Sequence, residues 1–171
     1  MVRFHNGWVI VFGVLISLTI GLQAYLYLSR PISQEELAVR ASVMPSLTLT
    51  SMDGSAFPFR QDANLLLIYF NSECDHCQRE VAEIHRNMHL FSKTDVLFMS
   101  SQPLPPIVQF ASGFDFKQYP RAHFVRIAPE DLAKAFGAIA VPQVFIYSQE
   151  GKLITLFSGE TSAQVIAASL P

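Results

Sequence analysis

The sequence predicts an α/β fold, a central mixed β-sheet flanked by helices and opened by an N-terminal β-hairpin, with one transmembrane helix ahead of it. Three observations carry this expectation. Residues 8–28 are an uncharged apolar run, short strand-like runs then alternate with stretches of helical periodicity, and the only two cysteines, Cys74 and Cys77, stand at one strand-to-helix junction. Alternation of this kind is the pattern of a layered α/β domain with parallel crossovers. Of the 171 residues 15% are charged, against about 25% in an ordinary soluble chain, and the apolar run explains the gap. A formal net charge of -2 supplies no basic field for phosphates, so nucleic acid is not an expected partner. Half of the chain is hydrophobic and 12% aromatic, which excludes intrinsic disorder.

The apolar run, WVIVFGVLISLTIGLQAYLYL, has 21 residues with only Ser17, Thr19 and Gln23 polar. At about 1.5 Å per residue it spans about 31 Å, the thickness of a hydrocarbon core. Trp8 at one end and Tyr25 and Tyr27 at the other suit the two interfacial belts. No convincing small-x-small cleavage triplet follows, so an uncleaved signal anchor is expected, behind a short tail at residues 1–7, with a cleaved signal peptide as the alternative. Arg3 before the span nearly balances Arg30 and Arg40 after it, with Glu35 and Glu36 between. A short tail ahead of a first span stays on the cytoplasmic side as a rule, which places the rest of the chain outside. Residues 29–44 are polar and Pro-bounded and read as a linker with one short helical stretch; the folded domain is expected over 45–171.

Within that domain, Leu47–Thr50 and Ala56–Phe59 flank Asp53-Gly54, a hairpin signal. Leu65–Phe70 and Val96–Ser100 are continuous apolar runs of the kind buried on both faces of a sheet. Between them the chain is expected helical from Asp75 to about Phe91, with Val81, Ile84, Met88 and Phe91 on one face. Prolines open a short helix at Ile107–Ala111, a strand follows at His123–Ile127, and Pro129–Phe136 is a helix closed by Gly137. Val144–Tyr147 and Leu153–Phe157 make a hairpin around Glu150-Gly151, and a last helix covers Thr161–Ser169.

Cys74-Asp75-His76-Cys77 falls where the first buried strand gives way to a helix. Two thiols three apart on the first helical turn are within disulfide reach. The partial positive charge of a helix N-terminus favours a thiolate on the first of them. Protonated His76 would add to that, while Asp75 and Glu73 oppose it, so Asp75 and His76 tune the pair. Cys74 is therefore the expected nucleophile, and Cys77, one turn in, the thiol that resolves a mixed disulfide. Zinc would need a second ligand pair. His85 lies eight residues past Cys77, about 12 Å of helical rise away, and is too far to share a metal with it. Haem attachment would need histidine directly after Cys77, where Gln78 stands. A structural staple closing so small a loop would gain little from chain entropy.

The stretch LLLIYFNSECDHCQREVAEI resembles the strand–CxxC–helix core of the thioredoxin-like superfamily, and most of all its membrane-anchored, extracytoplasmic branch related to TlpA and ResA. MPSLTLTSMDGSAFPF is similar to that branch's N-terminal hairpin, and DLAKAFGAIAVPQVFIYSQEGKLI to the stretch that bears the superfamily's cis-proline. The resemblance covers roughly residues 45–169. It implies a thioredoxin-like fold and a protein disulfide oxidoreductase working through a redox-active Cys74–Cys77 disulfide, without a dissociable cofactor or metal. It also implies a cis Val141-Pro142 bond beside Cys74, with Val141 and Pro142 binding substrate; an ordinary turn proline is the plainer alternative. Glu80 matches the glutamate of the branch's C-x-x-C-x-x-E pattern and would relay a proton to or from Cys77; a solvated charge paired with Arg79 is the other reading. Ile68 occupies the place of the strand aspartate of thioredoxins, so that proton acceptor is absent.

The chain departs from its relatives at Glu73, where many carry tryptophan, and at Asp75-His76, which is neither Gly-Pro nor Pro-Pro. The branch favours a reductant fed with electrons by a transmembrane donor; histidine before the second cysteine favours an oxidant. Peroxiredoxins are set aside because no Pro and Thr precede Cys74 at their spacing. Expected partners are protein thiols and disulfides, among them apocytochrome c, misbridged exported proteins or a dedicated enzyme, and the membrane, on its extracytoplasmic or periplasmic side. The alternatives are a copper metallochaperone, in which His123 would be a distant ligand, and a non-catalytic binding module.

Overall fold

The computed structural model describes residues 5–28, 32–59 and 63–171, in two units divided after Pro31. Residues 1–4 of the expected tail, with Arg3, and residues 29–31 of the expected linker, with Arg30, lie outside the described residues.

The first unit is a helix, α1 (His5–Leu28). Its window Trp8–Tyr27 has a mean hydropathy of 2.2 and is long and apolar enough to cross a membrane. Large apolar side chains stand exposed along its length, from Trp8 to Tyr27. Its hydroxyls turn inward: Ser17 donates to the Gly13 carbonyl at 2.9 Å and Thr19 to that of Ile16 at 2.8 Å. Both donors are thereby satisfied within the helix, as an apolar surrounding requires.

The second unit, Ile32–Pro171, is built on six strands: β1 (Leu49–Thr50), β2 (Asn64–Tyr69), β3 (Thr94–Ser100), β4 (Ala122–Ile127), β5 (Gln143–Tyr147) and β6 (Leu153–Ser158). Their order in the sheet is β1-β4-β3-β2-β5-β6. β2, β3 and β4 run parallel, whereas β1, β5 and β6 add antiparallel, so the sheet is mixed as expected. Alternate residues point to opposite faces. Leu66, Ile68, Val96, Phe98 and Val144 pack under α3 (Asp75–Arg86), α4 (Leu104–Ala111) and α6 (Ala163–Ala168). Leu65, Leu67, Tyr69, Leu97, Phe145 and Tyr147 pack against α2 (Gln34–Arg40) and α5 (Pro129–Phe136). With helices on both faces, the middles of the central strands are apolar on both sides, and β2 reads as an unbroken run from Leu65.

Three expectations change in detail. The N-terminal hairpin shrinks to β1, which pairs with β4 at Leu49↔Ile127 and Thr50↔Arg126, and to one bridge, Thr50↔Ala56. The Asp53-Gly54 turn is present, with Gly54 at φ 85° and Asp53 accepting from the Ser55 amide at 2.9 Å. The return arm does not form a strand because Pro58 has no N–H to give a ladder. Second, the helix expected to Phe91 stops at Arg86: the Asn87 side chain donates to the Glu83 carbonyl at 2.8 Å, and a 3₁₀ turn, Met88–Phe91, follows. Asparagine competes with the backbone in this way, yet Met88 and Phe91 keep their buried positions. Third, the described part of the expected linker is packed. α2 begins with a reciprocal Ser33–Glu36 capping box and buries Leu37 and Ala41 in the core, so the packed unit begins at Ile32.

Candidate active site

β2 ends at Tyr69, and Phe70 continues it by donating to the Met99 carbonyl at 2.9 Å. The loop that follows is tied from several sides. Gln102 accepts from the Ser72 amide at 2.8 Å, Gln78 donates to the Ser72 carbonyl at 2.8 Å, and Asn71 accepts from the Glu73 amide at 2.8 Å. Cys74 is the N-cap of α3, and its sulfur accepts from the Cys77 amide at 3.4 Å. The cap position that serine or asparagine fills in other helices is here taken by a thiol. Both cysteines are free; Cys74 is partly exposed and Cys77 fully buried beneath it. Burial pushes the Cys77 thiol up to about 12, with the neighbouring Cys74 and the charge of Glu80 adding to the rise.

Glu80, one turn beyond Cys77, is fully buried. Its Oε1 accepts from the Thr161 amide at 2.9 Å, while Oε2 has no partner. Burial raises its carboxyl to about 7, against the pull of the Thr161 hydrogen bond and helped by Glu160 and Glu83. The solvated-charge reading of Glu80 is thus overturned. Arg79 faces the other way and binds Glu160.

The remaining motif residues lie outside. Asp75 and Glu73 are exposed, and so is His76, whose Nδ1 is 2.8 Å from Glu160 Oε2. The Val141-Pro142 bond is cis. Val141 and Pro142 line an open depression of about 540 Å³ together with His76, Glu83, Gly159 and Glu160. Gly159 donates to the Pro142 carbonyl at 2.9 Å. Ile68 is buried between Phe98 and Val144 on the flanking strands, with no carboxylate in its place.

The other histidines are elsewhere. His85 lies 4.8 Å from the Phe116 ring and hydrogen-bonds the Asp115 carbonyl, and His123 lies 5.1 Å from the Phe57 ring at the far side of β3. Among the described residues, no group of three or more His, Cys, Asp or Glu side chains is placed to hold a metal ion. Sequence reasoning missed Glu83, on α3 itself, and Glu160 and Thr161, which approach α3 from about 80 positions away in the chain. No local pattern in the sequence marks them.

A dithiol heading a helix at the end of a central strand, opposite a cis-proline before an antiparallel strand, is a specific arrangement. Solved structures share its frame. StoA from Bacillus subtilis superposes with a TM-score of 0.57 at 15% identity, over 74% of this chain and 98% of that one. A secreted Mycobacterium tuberculosis disulfide oxidoreductase homologous to E. coli DsbE gives 0.58 at 14%, over 80% and 97%. The fold is thioredoxin-like. A peroxiredoxin-like protein from Aquifex aeolicus shares this thioredoxin-like frame too, with a TM-score of 0.59 at 13% identity over 75% and 83% of the two chains. No family model matches the sequence, and no curated protein matches it.

Proposed function

We propose that this chain is a membrane-anchored thiol–disulfide oxidoreductase whose thioredoxin-like domain works outside the cytoplasm on protein substrates. The observation that carries the proposal is the asymmetry of the pair: Cys74 accessible at the helix cap, Cys77 buried and protonated beneath it, and a buried carboxyl one turn further on. In the reductive direction the Cys74 thiolate attacks a substrate disulfide, R–S–S–R′. The Cys74–S–R bond forms, and R′–S⁻ leaves and takes a proton from water. Cys77 then passes its proton to Glu80 and attacks the Cys74 sulfur, forming the Cys74–Cys77 disulfide and expelling R–S⁻. The substrate gains two electrons and the pair loses two, which a dithiol donor must restore; an electron carrier in the membrane is the partner this chain needs. Val141, in the groove beside His76, offers its backbone to an extended substrate segment. No step uses a dissociable cofactor.

Support for the reductive direction comes from charge. Glu73 and Asp75 flank Cys74 in the chain and Glu160 binds His76 and Arg79 on the same helix, and carboxylates beside such a pair favour the disulfide over the anionic dithiol form. Support for the anchor is α1, and for an extracytoplasmic site the absence of any cysteine outside the pair, which avoids mispairing. The test equilibrates the full-length chain, in detergent, in graded glutathione buffers and reads the oxidised fraction by mass after alkylation. A midpoint of about -250 mV or lower supports a reductant. One near about -120 to -180 mV overturns the direction, and no intramolecular disulfide at all overturns the reading. Labelling of Cys74 in whole cells by a membrane-impermeant maleimide checks the side.

A further inference from the structure

The segment between β6 and α6 grips α3 through Glu160, which forms no bond and takes no proton in the exchange above. Arg79 donates from Nε to both oxygens of Glu160, at 3.0 and 3.1 Å, and from Nη2 to Oε2 at 2.7 Å. His76 Nδ1 lies 2.8 Å from the same Oε2 and 2.8 Å from Arg79 Nη2. One ring nitrogen cannot donate to the first and accept from the second. The carboxylate charge selects donation to Glu160, because a charge-assisted bond outweighs a neutral one. Two flanking contacts of the same segment fix this approach: Gly159 donates to Pro142, and Thr161 to Glu80.

We propose that Glu160 is a positioning residue for the Cys74–Cys77 pair: it takes up the Arg79 guanidinium and the Nδ1 proton of His76, so that neither the guanidinium nor that N–H is free to stabilise a Cys74 thiolate, and it thereby holds the pair reducing. The proposal rests on the thiol–disulfide reading of the site. Arg79 is held in its charged form first by Glu160 and also by the fields of Asp75 and Cys74, so guanidinium and thiol are electrically in reach of one another. A cation beside the helix cap stabilises the thiolate, and with it the dithiol form, which makes a pair more oxidising. Glu160 is itself held well down, to about 2, by Arg79 and then His76, and stays charged at any pH at which the exchange runs.

The test uses the full-length chain in detergent. Glu160→Gln is expected to shift the oxidation equilibrium of the pair against glutathione by about threefold to tenfold toward the dithiol, about 15–30 mV less negative at 29.6 mV per tenfold. Glu160→Asp, which keeps the charge, stays within about twofold of the parent. Arg79→Gln alone shifts the pair the other way, and in that background Glu160→Gln moves it by less than about twofold. An unchanged or more negative midpoint in Glu160→Gln overturns the proposal, as does an undiminished shift in the Arg79→Gln background. The rate at which neutral iodoacetamide alkylates Cys74, located by peptide mass, reads the same charge effect without any disulfide. If the parent forms no Cys74–Cys77 bond in any buffer, the thiol–disulfide reading falls. The alkylation rate then decides Glu160 by itself: threefold faster in Glu160→Gln supports the role, and an equal rate overturns it.

Discussion

Glu80→Gln is the perturbation that most directly probes the inner site. In the folded chain the Glu80 carboxyl is raised from 4.5 to about 7 by burial, while unfolding returns it to water. Between those values the folded chain keeps a proton that the unfolded chain has lost, so stability falls as pH rises through the window. At about 1.4 kcal/mol for each pH unit of that interval, the ionised form costs the fold about 3 kcal/mol at pH 8. Glutamine keeps an oxygen for the Thr161 amide and puts an NH₂ where protonated Glu80 has its O–H. Near pH 5 the two chains are therefore expected to match within about 1 kcal/mol. Near pH 8 the Gln variant is expected to be the more stable by up to about 3 kcal/mol. The assay is urea unfolding of the full-length dithiol form in detergent at several pH values, followed by near-UV circular dichroism of the buried Tyr69 and Tyr147. All other carboxyl groups are common to both chains and cancel in the difference. A difference that stays constant from pH 5 to pH 8 refutes the reasoning. The same variant slows the resolution step by about a hundredfold or more if Glu80 receives the Cys77 proton, which rapid-quench trapping of the mixed disulfide would show.

Cys77→Ser is expected to accumulate a mixed disulfide through Cys74, seen as an added mass lost on reduction, whereas Cys74→Ser abolishes exchange; equal loss without trapping would reverse the two roles. Phe98 is fully buried, 4.7 Å from the Phe124 ring and 5.3 Å from that of Phe116, and Phe98→Ala is expected to cost about 3–5 kcal/mol in urea unfolding. Gly137 closes α5 at φ 78°, where an added Cβ would also stand 3.2 Å from Ile32 Cδ1. Gly137→Ala is expected to destabilise by about 1–2 kcal/mol, and a neutral result would show that Ile32 and the helix end yield freely.

What the sequence makes legible is what neighbours along the chain decide. β2, β3 and β5 announce themselves because strands covered on both faces must be apolar at every position, and the Cys pair because its spacing matters only on a helical turn. In sequence Glu80 admits two readings, since a glutamate beside Arg79 and three residues before Glu83 looks solvated. Helical phase decides it: Cys77, Glu80, Val81 and Ile84 share the buried face. The packing of the short helix α2 is hidden for a related reason. A polar seven-residue helix with one apolar anchor, Leu37, carries almost no periodic signal, though its capping box was present in Ser33 and Glu36. The hairpin signal at Asp53-Gly54 specified the turn but not the ladder, which depends on β4, more than 70 residues away in the chain.

The segment 159–161 brings the inner and outer charges of α3 together. The outer side of the helix carries His76 and Arg79, the inner side Cys77 and Glu80, and successive residues of one segment address both. Glu160 meets the exposed Arg79 and His76 with its carboxylate; Thr161 meets the buried carboxyl with its amide. An α-carbon step is about 3.8 Å, so a displacement of Glu160 is expected to disturb the only side-chain hydrogen bond that Glu80 makes among the described residues. Loss of that bond removes the one contact that lowers the Glu80 carboxyl, leaving burial and the fields of Glu160 and Glu83 to raise it further. A carboxyl so raised holds its own proton over a wider pH range, while its ionised form is the stronger base. The geometry thus ties the place of Glu160, beside the depression lined by Val141 and Pro142, to the hydrogen bond of the carboxyl one turn below the dithiol.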